Sequence, residues 1–355
     1  MSSDVFTHPW LQGLFGDAEA ARLWSAERQI ADMLRVEAAY SRALGAVGVL
    51  EAARAERAAC VIERVTPDLE ALRRATARDG LPVPDLVRQI RAAVGAEAEA
   101  VHTGLTSQDV MDSALALGLV AFNDLLAARL GDLVAALADL GARFGRVTIM
   151  GRTRMQAALP IRFAQRAQSW QRPVAAHGER LAALRPQIER LQLGGPVGDR
   201  AGLGAQSPAI AEETARALGL HAAPTAWHSE RAALAEYANL LSLITGSLGK
   251  LGQDICLMAQ QGINEAEVAG GGGSSAMPHK QNPVIAELLV TLARFNATQL
   301  AGMHHALIHE QERSGAAWAL EWMILPQMAM ATARSLSAAL DLCTRLTIAE
   351  RPLPH

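Results

Sequence analysis

The chain reads as an all-α protein built around a long-helix bundle, on two observations. Half of its 355 residues are apolar, yet aromatics make up only 4% and just two are Tyr, so side chains that favour strands are scarce. Leu234, Tyr237, Leu241, Ile244, Leu248, Leu251, Ile255 and Met258 recur at steps of three and four, the spacing of a helix with a bundle seam. Leu115, Leu119, Phe122, Leu126, Leu130, Leu133, Leu137 and Leu140 repeat the device.

In chain order, residues 1 to about 100 predict shorter helices, such as Ala20 to Val47 and Asp85 to Val94, separated by Pro-Asp and Gly-Leu-Pro turns. They suggest an amino-terminal helical domain over 1–104. A central long-helix domain over 105–347 follows, with a short tail at 348–355. Its helices are expected between Asp112 and Gly141, at about 155–192 punctuated by Pro160, Pro173 and Pro186, from a Ser229/Glu230 cap to Gly262, at about 283–310 and at about 317–346. The same seams could serve a coiled-coil scaffold without chemistry.

Thirty-three Lys and Arg stand against 36 Asp and Glu, a net charge of −3, so nothing marks a nucleic-acid or membrane partner. Cys60, Cys256 and Cys343 lack paired spacing and read as reduced core thiols. The start, Met1-Ser-Ser-Asp-Val, has no basic region before an apolar core, and no stretch is expected to reach the roughly 20 apolar residues that span a bilayer. The expected compartment is the cytoplasm.

Polar residues gather at the ends of the long helices. In His102-Thr-Gly-Leu-Thr-Ser-Gln-Asp109, Thr106 and Ser107 suit capping, while His102, Gln108 and Asp109 exceed what a cap needs. Gly151-Arg-Thr-Arg-Met-Gln156 offers two guanidinium groups, a hydroxyl and an amide, or simply a solvated turn. Gly270 to Pro283 packs four glycines, two hydroxyls, a cation and two amides before a proline-marked helix start. That is the make-up of an anion site with a mobile flap, or of a plain linker and turn. An antiparallel bundle cannot bring three such turns to one end of one chain, so several subunits must share each site.

Thr106-Ser-Gln-Asp109, Gly151-Arg-Thr-Arg-Met-Gln156 and Gly273-Ser-Ser-Ala-Met-Pro-His-Lys-Gln-Asn-Pro283 resemble the three signature regions of the fumarase/aspartase superfamily. The resemblance covers nearly the whole chain. It implies a homotetramer with a 20-helix core, five helices per subunit, and four active sites each built from three chains. Superfamily members usually carry a third, small helical domain, which is expected to be absent here. Within the superfamily, Thr106 to Asp109, the Trp227-His228 pair and Glu312-Arg-Ser-Gly-Ala-Ala-Trp318 resemble the branch that cyclises carboxylated muconates more than the adenylosuccinate lyases. A fumarate-releasing lyase and an inactive helical scaffold are the alternatives.

The resemblance implies a tricarboxylate substrate, an aci-carboxylate intermediate, and no metal or organic cofactor. By motif position Ser274 is the catalytic serine, and Lys280 and Asn282 hold the aci-carboxylate. Thr106, Ser107, Gln108, Arg152, Thr153, Arg154, Gln156, Ser275 and Met277 would bind substrate. His102 and His228 are further contacts, and His279 and Glu287 supporting residues. Arg154 stands where fumarases and adenylosuccinate lyases carry a histidine, and an Arg154–Glu287 ion pair is expected. Arginine cannot act as an acid for a leaving amine. A carboxylate, with an acid pKa of about 4, needs no such help, so the substitution fits cyclisation.

Overall fold

The computed structural model describes residues 4–273, 277 and 281–349. It opens with short helices: α1 (Gln12–Phe15), α2 (Ala18–Leu23), α3 (Ala26–Ala46), α4 (Ala52–Ile62), α5 (Leu69–Asp79) and α6 (Val83–Val94). Asp17, Ser25 and Asp68 cap α2, α3 and α5, each accepting a first-turn N–H that would otherwise lack a partner. Pro84 lies in the first turn of α6, where its missing N–H forfeits nothing. α1 and α2 pack against the bundle core, whereas the apolar faces of α3, α4, α5 and α6 close over Tyr40, Ile62, Leu86 and Ile90. That core also takes in Ile210, Ala211 and Leu218 from α9 (Ser207–Leu218), although α9 lies far along the chain.

The bundle consists of α7 (Ser107–Phe144), α8 (Phe163–Ile188), α10 (Ala232–Met258), α11 (Val284–His305) and α12 (Ala316–Arg345). All eight seam residues of α10 are buried, as are seven of the eight on α7, where Leu115 is half-buried. Each such side chain contributes about 1.5–3 kcal/mol on burial, and the seams join residues of α8, α11 and α12 in one continuous core.

The structure departs from the sequence expectations at several boundaries. Residues 148–162 form a hairpin of β1 (Thr148–Thr153) and β2 (Gln156–Arg162) instead of the first turns of a helix. Pro160 cannot donate within a helix and keeps Leu159 extended, so α8 waits until Phe163, and only Pro173 and Pro186 lie inside it. Ser229 does not cap α10, which starts after Arg231 without a side-chain cap; Gly262, at φ 90°, sits in the turn beyond its end at Met258. Of the three cysteines only Cys343 is buried, while Cys60 and Cys256 are half-buried. Contrary to the composition reading, α7 and α11 are long and apolar enough to cross a membrane. In α7 that surface is largely taken up by the bundle, whereas only 28% of the apolar window of α11 is buried within the chain.

Short strand pairs finish the architecture: β3 (Ala266–Val268) pairs with β6 (Leu346–Ile348), and β4 (Gly272–Gly273) with β5 (Gln281–Asn282). Because the long helices alternate in direction, the bundle gathers a different set of polar residues at each end. One gathers Thr106, Gln192, Arg231 and Arg313. The other gathers the β1–β2 hairpin, Glu265 and the β4–β5 pair. At about 1.5 Å per residue, the 38 residues of α7 separate them by roughly 57 Å.

Candidate active site

At the first end, Asp109 organises the chain. Its carboxylate accepts the Thr106 N–H at 3.0 Å, closing the start of α7. It also accepts the Gly194 and Gly195 N–H groups at 2.8 and 2.9 Å, and His228 Nε2 lies 2.8 Å away. Gln108 donates to Asp112 at 3.1 Å and to the His228 carbonyl at 3.0 Å. Gln108 Oε1 and His228 Nδ1 are buried without partners.

Beneath them Arg231 is enclosed by Asp112 and Glu321, with its guanidinium 4.8 Å from the Trp227 ring. Burial works against its charge, but the two carboxylates outweigh burial and hold the guanidinium firmly protonated. Trp318 Nε1 and Gln192 Nε2 also donate to Asp112, at 3.1 and 3.2 Å. This network ties together the starts of α7, α10 and α12.

Above the network lies a cleft of about 530 Å³ lined by Gln108, Val197, Gln311, Arg313, Ser314 and Trp318. Arg313 donates to the Thr106 hydroxyl, placing an exposed cation at the first signature region. The sequence reading did not select it as a site residue. The available signal was an arginine in a Ser-Gly turn ahead of a helix. His102, at φ 58°, is drawn the other way: its Nδ1 lies 2.6 Å from Glu37 of α3.

At the second end, Arg152 bonds both carboxylate oxygens of Glu265, at 3.1 and 2.9 Å, and the Met150 N–H donates to the same group at 3.1 Å. Glu265 was likewise unselected. The hairpin turn puts Arg154 and Met155 at φ 50° and 67°, a region that costs non-glycine residues about 1–2 kcal/mol each. Thr153, Arg154 and Gln156 are exposed at its tip. The expected Arg154–Glu287 pair does not form within the chain: both side chains are exposed, and among the described residues no ion pair joins them.

Gly271 and Gly272 run so close to the start of α11 that a Cβ would meet the Asn282 carbonyl oxygen at 2.7 Å or Val284 at 2.8 Å. Glycine is therefore required where the chain enters β4. Asn282 is half-buried on β5, and Met277 is exposed. Ser274, Ser275, His279 and Lys280 lie outside the described residues. The single chain thus brings Thr106, Ser107, Gln108 and His228 together at one end, and Arg152, Thr153, Arg154, Gln156 and Asn282 at the other.

A model of the lyase family matches residues 9–297. The 3-carboxy-cis,cis-muconate cycloisomerase of Pseudomonas aeruginosa is 37% identical over 354 residues, covering 98% of this chain and 77% of its own length. An N-acetyl-S-(2-succino)cysteine lyase of Enterococcus italicus is 32% identical, covering 92% and 73%. The crystal structure of the 3-carboxy-cis,cis-muconate lactonizing enzyme of Pseudomonas putida superposes with a TM-score of 0.90 at 30% identity, covering 96% of this chain and 77% of that one.

Proposed function

The chain belongs to the lyase family, within the fumarase/aspartase superfamily, and from that premise we propose that it is a cycloisomerase converting 3-carboxy-cis,cis-muconate to 4-carboxymuconolactone. The observation that carries this reading is its 37% identity, along nearly its whole length, to a cycloisomerase of that name. The reaction places the chain in the protocatechuate branch of the β-ketoadipate pathway, with cytoplasm as its compartment.

One carboxylate oxygen of the substrate bonds to the far carbon of a double bond conjugated with a second carboxylate. The electron pair moves onto that carboxylate as the aci-form, and the carbon beside it then takes a proton. Lys280 and Asn282 hold the aci-carboxylate and Ser274 delivers the proton. An isolated serine hydroxyl is a poor acid–base group, so the closed flap must surround it with N–H donors and the Lys280 cation. Thr106, Ser107, Gln108 and Arg313 come from the opposite bundle end of another subunit. Arg152 through its Glu265 brace, with Thr153, Arg154 and Gln156, comes from a hairpin of a third. The roughly 57 Å between the two ends and the incompletely buried apolar face of α11 support this homotetramer.

Three carboxylates call for several cations, and Arg154 and Arg313 supply fixed charge without competing for the proton. A second reading, elimination from a succinyl thioether, draws on the 32% identical cysteine-adduct lyase. A thiolate also leaves without an acid, so Arg154 disfavours only the expulsion of amines. Mixing the purified protein with 3-carboxy-cis,cis-muconate tests the first reading. The diene absorbance is expected to fall without added cofactor, and an unchanged spectrum from intact protein overturns it.

A further inference from the structure

The turn that leads into the first signature region is held by side chains of another helix. Glu37, Tyr40 and Ser41 share one face of α3, at the three- and four-residue spacing of helix neighbours. Ser41 donates to the Ala100 carbonyl at 2.6 Å and Tyr40 to the Thr103 carbonyl at 2.5 Å, while Arg91 donates to the Val101 carbonyl at 3.0 Å. Burial, then the charges of Glu37 and Asp109, raise the Tyr40 pKa, so its hydroxyl stays a donor. Leu203 closes on the same turn, where a Cβ on Gly104 would meet its side chain at 2.5 Å. Between the Ser41 and Tyr40 bonds, His102 Nδ1 lies 2.6 Å from Glu37. A carboxylate only accepts, so Nδ1 carries the hydrogen. Glu37 is fully buried and its second oxygen has no partner, an arrangement that adds little stability because desolvation offsets the attraction. His102 stands at φ 58°, where glycine or asparagine would be less strained. The ring, not the backbone, is what suits a histidine to this place.

We propose that Glu37 and His102 are a positioning pair: Glu37 fixes the His102 ring, the ring fixes the turn over 102–105, and the turn sets the Thr106 hydroxyl that Arg313 holds at the cleft. This role rests on the proposed function of that cleft as the substrate site. His102 then acts without touching substrate, in place of the contact that its motif position implies. Ser274 and Lys280, which handle the proton and the aci-carboxylate, reach the site from another subunit, so the pair governs substrate binding rather than the chemical step.

Asparagine places an amide N–H where His102 carries its Nδ1 hydrogen and tolerates positive φ, whereas glutamine reaches toward the place of Nε2 and does neither. In the assembled full-length protein, His102→Ala and His102→Gln are expected to raise KM for 3-carboxy-cis,cis-muconate at least about tenfold with kcat within about twofold, and His102→Asn to keep KM within about threefold of the parent. Glu37→Gln, which still accepts from Nδ1, should follow the Asn variant, and Glu37→Leu the Ala variant. Deuterium exchange of the 103–107 backbone N–H groups should rise in the same order, and it is read whatever reaction the cleft performs. KM retained by His102→Gln and lost by His102→Asn overturns the proposal in favour of a substrate contact through Nε2. Parent-like exchange and KM in His102→Ala overturn it as well. Should the Ala variant fail to assemble, the contrast between Asn and Gln decides alone. A parent inert toward the diene, with exchange in the expected order, sinks the cycloisomerase reading and leaves the positioning pair standing.

Discussion

Arg313 lines the cleft and donates to the Thr106 hydroxyl, and among the described residues no other arginine lines that space. Removing a charged hydrogen-bonding partner of a carboxylate costs about 1.5–3 kcal/mol. Arg313→Ala is therefore expected to lower kcat/KM roughly 10- to 100-fold, mostly through KM, in steady-state assays of diene loss. His177 shows a different residue-scale effect. Its Nε2 lies 2.8 Å from Ser247, tying α8 to α10, and burial followed by the Arg180 charge lowers its pKa from 6.5 to about 4. The unfolded chain then takes up a proton between those values that the folded chain refuses, so stability is lost as pH falls from 6.5 toward 4. Denaturant midpoints at pH 7 and pH 5 should differ less in His177→Gln than in the parent protein; an equal difference would assign the acid sensitivity to other groups.

At the scale of elements, the Asp112–Arg231–Glu321 network joins the starts of three long helices. Removing one member of a buried ionic group leaves unpaired charge and costs about 3–5 kcal/mol. Arg231→Ala is expected to lose about that much in urea unfolding and to displace Gln108 and Arg313, so that activity falls as well. Periodicity made α7 and α10 legible, because a seam buried on one side writes its spacing into the sequence, whereas α8, α11 and α12 were placed only by the prolines and turns between them. The hairpin was not legible: Ile149, Ala157 and Ile161 continue an apolar pattern compatible with either state, and Pro160 decides for strands only once Met150 is its partner. Nor was the joining of α9 to the amino-terminal core, which follows from the path of the chain between α8 and α10 rather than from local pattern.

At the scale of the whole molecule, three signature regions were visible in the sequence as crowded polar turns, yet their partners were not. Asp109, His228 and Gly194 meet only through folding, and Arg152 finds Glu265 across 113 residues. The proposed assembly adds a consequence. Ser274 and Arg313 of one chain belong to different sites, so Ser274→Ala and Arg313→Ala proteins, dissociated together and reassembled, should form some sites with both groups intact. Turnover well above that of either parent is the expected result, and none would place both residues in one chain's site.

The central claim is the choice of reaction, and the most direct measurement is kcat/KM of one preparation for 3-carboxy-cis,cis-muconate and for N-acetyl-S-(2-succino)cysteine. Cyclisation should dominate by at least about 100-fold. In deuterated water the lactone should carry one deuterium at the carbon beside the aci-carboxylate. Release of fumarate from the thioether with the diene untouched would contradict the account and make the chain a succinyl-adduct lyase.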